Sequence, residues 1–320
     1  MFKYILKRLL NTIPLLIVVS MVSFFIIRLS PVDPLADLKM NPAISQKTLE
    51  NEKLRMGLDK PIYVQYFLWA KSFVKGDMGY SVTGDKVINQ LKQRVPNTLL
   101  LSVCVILATW LVAIPMGVIQ ARWHNTPLDK FMTILSGIGM AVPSFFLALL
   151  MLIFAVQTGW FPTGGLTSIN YGDLSFWGKI FDIAKHLVLP VFVLSFVSVA
   201  GIQRQMRSNM LEVMNEDYIK FARAKGLDEN TVMFKYALRN AINPLITLLG
   251  FEFAGLLGGA AITEYIFQYP GLGRLVLDAV LRSDINLVMA SLMIGTIMLI
   301  LGNLIADILL RLVDPRVRVN

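Results

Sequence analysis

Six long apolar runs constrain this chain more than any other feature. They are Leu9–Ile27, Val95–Ala121, Phe131–Phe161, His186–Gln203, Asn240–Thr263 and Ile285–Ala306, and a charge, Glu252, interrupts only the fifth. A helix needs about 20 apolar residues to cross roughly 30 Å of hydrocarbon. Each run therefore predicts one crossing, and together they predict an all-α polytopic membrane protein with six transmembrane helices. Barrel strands are excluded because their strict alternation of apolar and polar residues is absent. Lipid also forbids unpaired backbone groups, which leaves helices as the spanning form. Composition agrees: 55% of the 320 residues are apolar and 16% charged, against about 25% charged in soluble domains.

Basic residues orient the runs. With the N-terminus inside, the cytoplasmic segments hold fifteen Lys and Arg, including Lys7, Arg122, Arg207, Lys225 and Arg316. The two short outer loops hold four: Lys179, Lys185, Arg274 and Arg282. The outer loop Ser30–Arg94 carries ten, but long loops cross largely regardless of charge. Both termini are expected in the cytoplasm. The first run follows Lys3, Lys7 and Arg8, as a signal peptide would, yet it is long and no small-x-small cleavage site succeeds it. It reads as a retained anchor. In a membrane protein a net charge of +9 marks cytoplasmic loops as a rule and is no evidence of a nucleic-acid partner.

Catalytic equipment is missing from the sequence. There is no G-x-x-x-x-G-K-[ST], no H-E-x-x-H and no G-x-S-x-G, so no nucleotide, zinc or serine-hydrolase motif is present. With one cysteine, Cys104, and two histidines, neither an internal disulfide nor a Cys/His metal cluster is available. The chain is expected to be no enzyme and to bind no cofactor or metal by itself.

Three other segments carry information. In the long outer loop, Ser45–Met56 reads as a polar helix stopped by Gly57. Pro61 opens a second helix, Ile62–Lys75, rich in aromatics such as Trp69 and stopped by Gly76. This cap either packs on the bundle or meets an external partner. The last outer loop has a turn at Tyr269-Pro270-Gly271. An amphipathic stretch comes after it, with Leu275, Val276, Ala279 and Val280 on one face, an interfacial or re-entrant helix. The inner loop 204–239 has seven bases and five acids. It reads as helix, glycine, helix, with Gly226 as a left-handed cap and Asp228 as the N-cap of the second helix. Phe221, Leu227, Val232, Met233, Phe234 and Tyr236 are many large apolar side chains for a solvated hairpin, and a covering partner is expected.

Glu252 is the one acid deep in a run. A carboxylate at mid-bilayer costs about 3 kcal/mol on insertion scales, so it should face a bundle interior or an aqueous path. It either lines a translocation path or pairs with a neighbouring helix. Gly255 and Gly259 beside it form a G-x-x-x-G that allows close helix packing.

The inner loop also carries a recognisable pattern. Tyr218-Ile219-Lys220-Phe221-Ala222-Arg223-Ala224-Lys225-Gly226-Leu227, then Ala237-Leu238-Arg239-Asn240-Ala241, resembles the EAA loop of binding-protein-dependent ABC importer permeases. It is most similar to the dipeptide/oligopeptide/nickel branch. Gly57-Leu58-Asp59-Lys60-Pro61, Gly76-Asp77-Met78-Gly79, Gly159-Trp160-Phe161-Pro162, Pro270-Gly271-Leu272-Gly273 and Asp314-Pro315-Arg316-Val317-Arg318 agree in order along nearly the whole chain. The long first outer loop favours the B-type of the two permease partners. One departure stands out: aligned on Gly226, the glutamate of the general motif is replaced by Lys220.

The resemblance implies a type I ABC importer transmembrane domain in a bacterial or archaeal inner membrane. Residues 1–30 would be the anchor, 31–94 the extracytoplasmic cap and 95–320 the permease core, with a coupling loop at 204–241. A second homologous permease, two ATP-binding subunits and an extracytoplasmic substrate-binding protein are the implied partners. ATP and Mg would bind to the partner subunits. A peptide is the implied cargo, with a nickel chelate as the alternative within the family and an ion channel or pore as the alternative outside it. Phe221, Ala222, Arg223, Ala224, Lys225, Gly226 and Leu227 would couple to the ATPase. Glu252 is the candidate on the translocation path. Trp69, Tyr269, Pro270 and Gly271 would face the binding protein.

Overall fold

Helix, interrupted by short turns, is the whole architecture of the computed structural model, which describes residues 2–29, 35, 39 and 45–313. The Ser30-Pro31 exit of the first run and the Asp314–Arg318 ending lie outside the described residues. So do the side chains of Lys3, Lys7 and Arg8. Among the described residues the extended pairing is a single bridge, Tyr80 with Lys86.

The first compact unit comprises Met1–Leu99 and Pro270–Leu301. It contains α1 (Phe2–Leu29), α2 (Gln46–Met56), α3 (Ile62–Val74), α13 (Leu272–Leu281) and parts of α4 (Val87–Arg122) and α14 (Ile285–Val313). The cap helices begin and end as their sequences predict. Ser45 Oγ accepts the Thr48 N–H at 3.1 Å, and Gly57 closes α2 at φ 58°. Pro61 opens α3 and Gly76 comes after it at φ 79°. Tyr66 of α3 is buried against Phe24 of α1, and the two hydroxyls of Tyr66 and Ser20 lie 2.8 Å apart. Asp284 ties the loop after α3 to the start of α14. Its carboxylate accepts from Ser81 Oγ at 2.5 Å and from the Val82 N–H at 2.9 Å.

The second unit comprises Leu100–Tyr269 and Gly302–Asn320. Its frame is the part of α4 from 100 to 122 with α7 (Phe176–Met214). At about 1.5 Å per residue these helices, 36 and 39 residues long, are longer than a perpendicular crossing of the hydrocarbon requires. A Cβ on Gly117 of α4 would sit 2.6 Å from Met206 Cβ of α7, so glycine is what lets the two helices touch there.

Two of the expected crossings are broken. The third run forms α5 (Pro127–Ala141) and α6 (Ser144–Thr158), bent by 93°. Pro143 is the cause. It cannot donate to the ladder, and it holds Val142 extended at φ −80°, ψ 119°. The fifth run forms α11 (Asn243–Gly259) and α12 (Ala261–Ile266). By length and composition, four helices among the described residues suffice to cross a bilayer, and five if the bent pair counts as one span. The crossing that remains of the six expected is the divided α11–α12 segment, whose longer helix has 17 residues.

Candidate functional site

The inner loop folds as a knob with its own core. α7 ends at Met214, Asn215 and Glu216 turn the chain, and α8 (Asp217–Ala224) comes next. Glu212–Lys225 is rich in helix formers, and the helix, glycine, helix reading has no break ahead of Gly226. The break falls instead at Asn215 and Glu216, where Asn215 takes the C-cap of α7 and Glu216 the N-cap of α8. Gly226 then takes φ 79° with its N–H on the Arg223 carbonyl at 2.9 Å, the left-handed closure expected. Asp228 caps the return, accepting the Thr231 N–H at 3.0 Å. The Thr231 bonds hold its carboxyl below the usual range. The return runs through α9 (Glu229–Thr231), a π-wound stretch Val232–Ala237 and α10 (Leu238–Ala241). A π turn shifts the register of the faces on either side of it, and no residue in Val232–Ala237 signals it.

Burial divides the elbow in two. Ile219, Ala222, Val232, Met233, Ala237 and Ala241 are buried in a cluster with Met206 and Met210 of α7 and Ala113 of α4. Val232 and Met233 therefore need no outside cover, which corrects that part of the expectation. Ala222 is small because the chain's own core is tight around it. On the outer side Phe221 is 64% exposed, Phe234 55% and Leu227 37%, an apolar triplet on a charged loop. Ala224 and Lys225 are exposed as well. The Lys225 ammonium lies 5.0 Å from the Phe221 ring centroid. Arg223 is engaged within the loop: its guanidinium forks onto Glu229 at 3.1 and 2.7 Å. That bond holds the Glu229 carboxyl below its usual range.

Behind the elbow a polar latch joins α7 to the start of α5. Arg207 donates to both Asp129 oxygens at 2.7 and 2.8 Å. It also donates to His124 Nδ1 at 3.0 Å. Asp129 is buried, and its carboxyl is held down to about 2, chiefly by the Arg207 bond, with burial opposing and the Asn125 N–H adding to it.

Glu252 sits midway along α11 and half-buried. It borders a cavity of about 250 Å³ lined also by Thr109, Ser144, Leu194 and Ser198. Trp110 of α4 donates its indole N–H to Glu252 Oε2 at 2.7 Å. Glu252 thus pairs with a neighbouring helix and borders a cavity. Thr109 and Trp110 escaped the sequence reading. Their polar atoms in the apolar run Val95–Ala121 were the available signal.

The outer candidates are distributed differently from expectation. Tyr269 is fully buried, in a cluster with Leu101, Val105 and Leu187, which corrects its assignment as an outward-facing residue. Gly271 is buried at the N-cap of α13, and the Pro270 carbonyl accepts from Asn97 Nδ2 at 2.8 Å. The turn at 269–271 is a structural corner. The helix after it buries Leu275 and Ala279, while Val280 is 54% exposed. Trp69 is half-buried, its ring 5.8 Å from Phe24 and 5.6 Å from Phe73. Tyr63 and Phe67 are the exposed aromatics of α3.

Known proteins share this organisation. Residues 113–319 match the family model described as "Binding-protein-dependent transport system inner membrane component". Residues 1–102 match its N-terminal companion, "Binding-prot-dependent transport system membrane comp, N-term". The oligopeptide transport system permease protein AppB of Bacillus subtilis is 42% identical over 320 residues, covering 99% of this chain and 99% of its own. The glutathione transport system permease protein GsiC of Escherichia coli is 33% identical with the same coverage. Among solved structures, a chain of the MetNI methionine ABC transporter, in an inward-facing form, superposes with a TM-score of 0.56 at 18% identity. It covers 70% of this chain and 96% of that one. The fold is that of a type I ABC importer transmembrane domain, and the chain belongs to the family of inner membrane components of binding-protein-dependent transport systems.

Proposed function

We propose that this chain is one permease subunit of an ATP-driven peptide importer. The observation that carries the reading is its 42% identity, end to end, to an oligopeptide transport system permease. A second homologous permease completes the path, and an extracytoplasmic binding protein delivers the peptide. Two ATP-binding subunits dock on the inner loops and supply the hydrolysis, so this chain performs no catalysis alone. The exposed Phe221, Leu227 and Phe234 form the docking surface, and Lys225 beside them steers the approach. Gly226 shapes the turn. Because Ile219 and Ala222 share a core with α4 and α7, a push on the elbow moves those helices as one body. The elbow lies in the cytoplasm with both termini, and the cap at 45–76 lies outside. The test is reconstitution of the four partners with this chain in liposomes. A defined pool of tri- to pentapeptides should accumulate only with ATP and binding protein together. Accumulation independent of ATP, or conductance by this chain alone, overturns the reading in favour of a pore.

A further inference from the structure

We infer that the Glu252 cavity is a binding site for a primary ammonium group, the amino end of cargo in transit. The inference rests on the importer reading and gives its path a chemical preference. The cavity combines one carboxyl group with hydroxyls inside an apolar wall. Trp110 anchors Glu252 Oε2 at 2.7 Å and brings no positive charge with it. The other oxygen of the carboxylate carries no hydrogen bond, and no cation pairs with it, among the described residues. Thr109 is 1% exposed and lines the cavity, and its buried Oγ1 has no hydrogen-bond partner among the described residues. A buried hydroxyl left so is costly, and rotation of the side chain toward a ligand or water in the cavity removes that cost.

Ser144 and Ser198 bring two more oxygens to the same lining. An ammonium has three donors and no acceptor. It therefore suits a carboxylate flanked by hydroxyls, whereas a carboxylate or phosphate ligand would be repelled. Size points the same way. At about 250 Å³ the cavity is below the roughly 300–1,000 Å³ of sites that enclose a drug-sized molecule. It takes one end of a peptide and not the whole. Leu194 and Val105 of the wall accept any apolar side chain behind the amine, which allows passage without sequence choice.

The test uses the assembled importer in detergent without its binding protein, so that this protein's own selectivity plays no part. The probe is a tripeptide carrying a central benzoylphenylalanine, with its amino end either free or acetylated. The free-amine probe should cross-link within 105–110 or 251–256, and acetylation should lower the yield at least fivefold. Glu252→Gln should lower the free-amine yield to the acetylated level and leave the acetylated yield unchanged. Thr109→Val should lower it by a smaller factor. Co-purification of the ATPase subunits shows that each variant is assembled. Equal marking by both probes, marking elsewhere only, or a Glu252→Gln loss shared by both probes overturns the ammonium site. Uptake of free-amine peptides by wild-type liposomes separates the two readings. Uptake with equal marking sinks the ammonium site alone, and absence of peptide uptake sinks the importer reading together with it.

Discussion

At Gly226 a single backbone angle decides the shape of the elbow. Its φ of 79° is left-handed, and a Cβ there would meet nothing within 4 Å. A substitution is therefore costly only through the backbone, by about 1–2 kcal/mol, most of all for a β-branched residue. Gly226→Val is expected to leave insertion intact and to release the ATPase subunits on co-purification. Undiminished co-purification and uptake would show that the turn does not matter to docking. Asp129 yields a second outcome, in pH. Its folded value of about 2 lies below the roughly 3.9 of an unfolded aspartate. Its bond to Arg207 therefore stabilises fully above about pH 4, and that stability is lost as the pH falls toward 2. The contribution is about 2 kcal/mol. Thermal unfolding in detergent should show this loss in wild type, and Asp129→Asn should flatten it while lowering stability at neutral pH. Single residues with local jobs were legible in the sequence: Gly57, Gly226 and Asp228 cap where their chemistry says. Asp129 with Arg207 was not, because the two lie 78 positions apart and nothing local pairs them.

Each face of the elbow helix has a different duty, and the two can be separated by mutation. Phe221 is 64% exposed and Ala222 is 6% exposed, in the core cluster. Phe221→Ala should change stability by less than about 0.5 kcal/mol. If Phe221 is an anchor, the same change should weaken ATPase-subunit binding by about 1 kcal/mol or more, roughly fivefold. Ala222→Trp forces a large ring against Met206, Met210 and Ile219 and should cost about 1–3 kcal/mol of fold stability. Unfolding midpoints and subunit affinity, measured on both variants, give opposite patterns. Identical patterns would mean that the elbow has one undivided role. Helical periodicity could place the elbow but not rotate it, since the rotation depends on a π turn at Val232–Ala237 that no local propensity marks. The 93° bend between α5 and α6 is a different case. Pro143 stood in the sequence as its cause, in the middle of a run whose hydropathy alone reads as one crossing.

At the scale of the molecule, the elbow and the cavity share one frame within the second unit. Leu245 packs with the elbow core, and seven residues further along α11 stands Glu252, on the cavity. In the proposed importer, movement of an ATPase subunit docked on the elbow would reach the cavity through helices already in contact, and so couple hydrolysis to binding there. The scheme requires the elbow to face the cytoplasm and the cap to face out. Hydropathy made the number of apolar runs legible, but side assignment rests on charge bias alone, because the apolar helices are symmetric to the bilayer. The chain offers a clean test, for Cys104 is its one cysteine. On a Cys104→Ser background, Lys71→Cys on the exposed face of α3 and Lys225→Cys at the elbow each present one thiol from an exposed position. A membrane-impermeant maleimide added to intact cells or right-side-out vesicles should label the cysteine at 71. The cysteine at 225 should react only after the membrane is opened. Labelling of both from the same side would overturn the topology, and with it the assignment of the elbow as the docking point for an ATPase. Reaction of 225 alone from outside would invert the molecule and make the cap the cytoplasmic face.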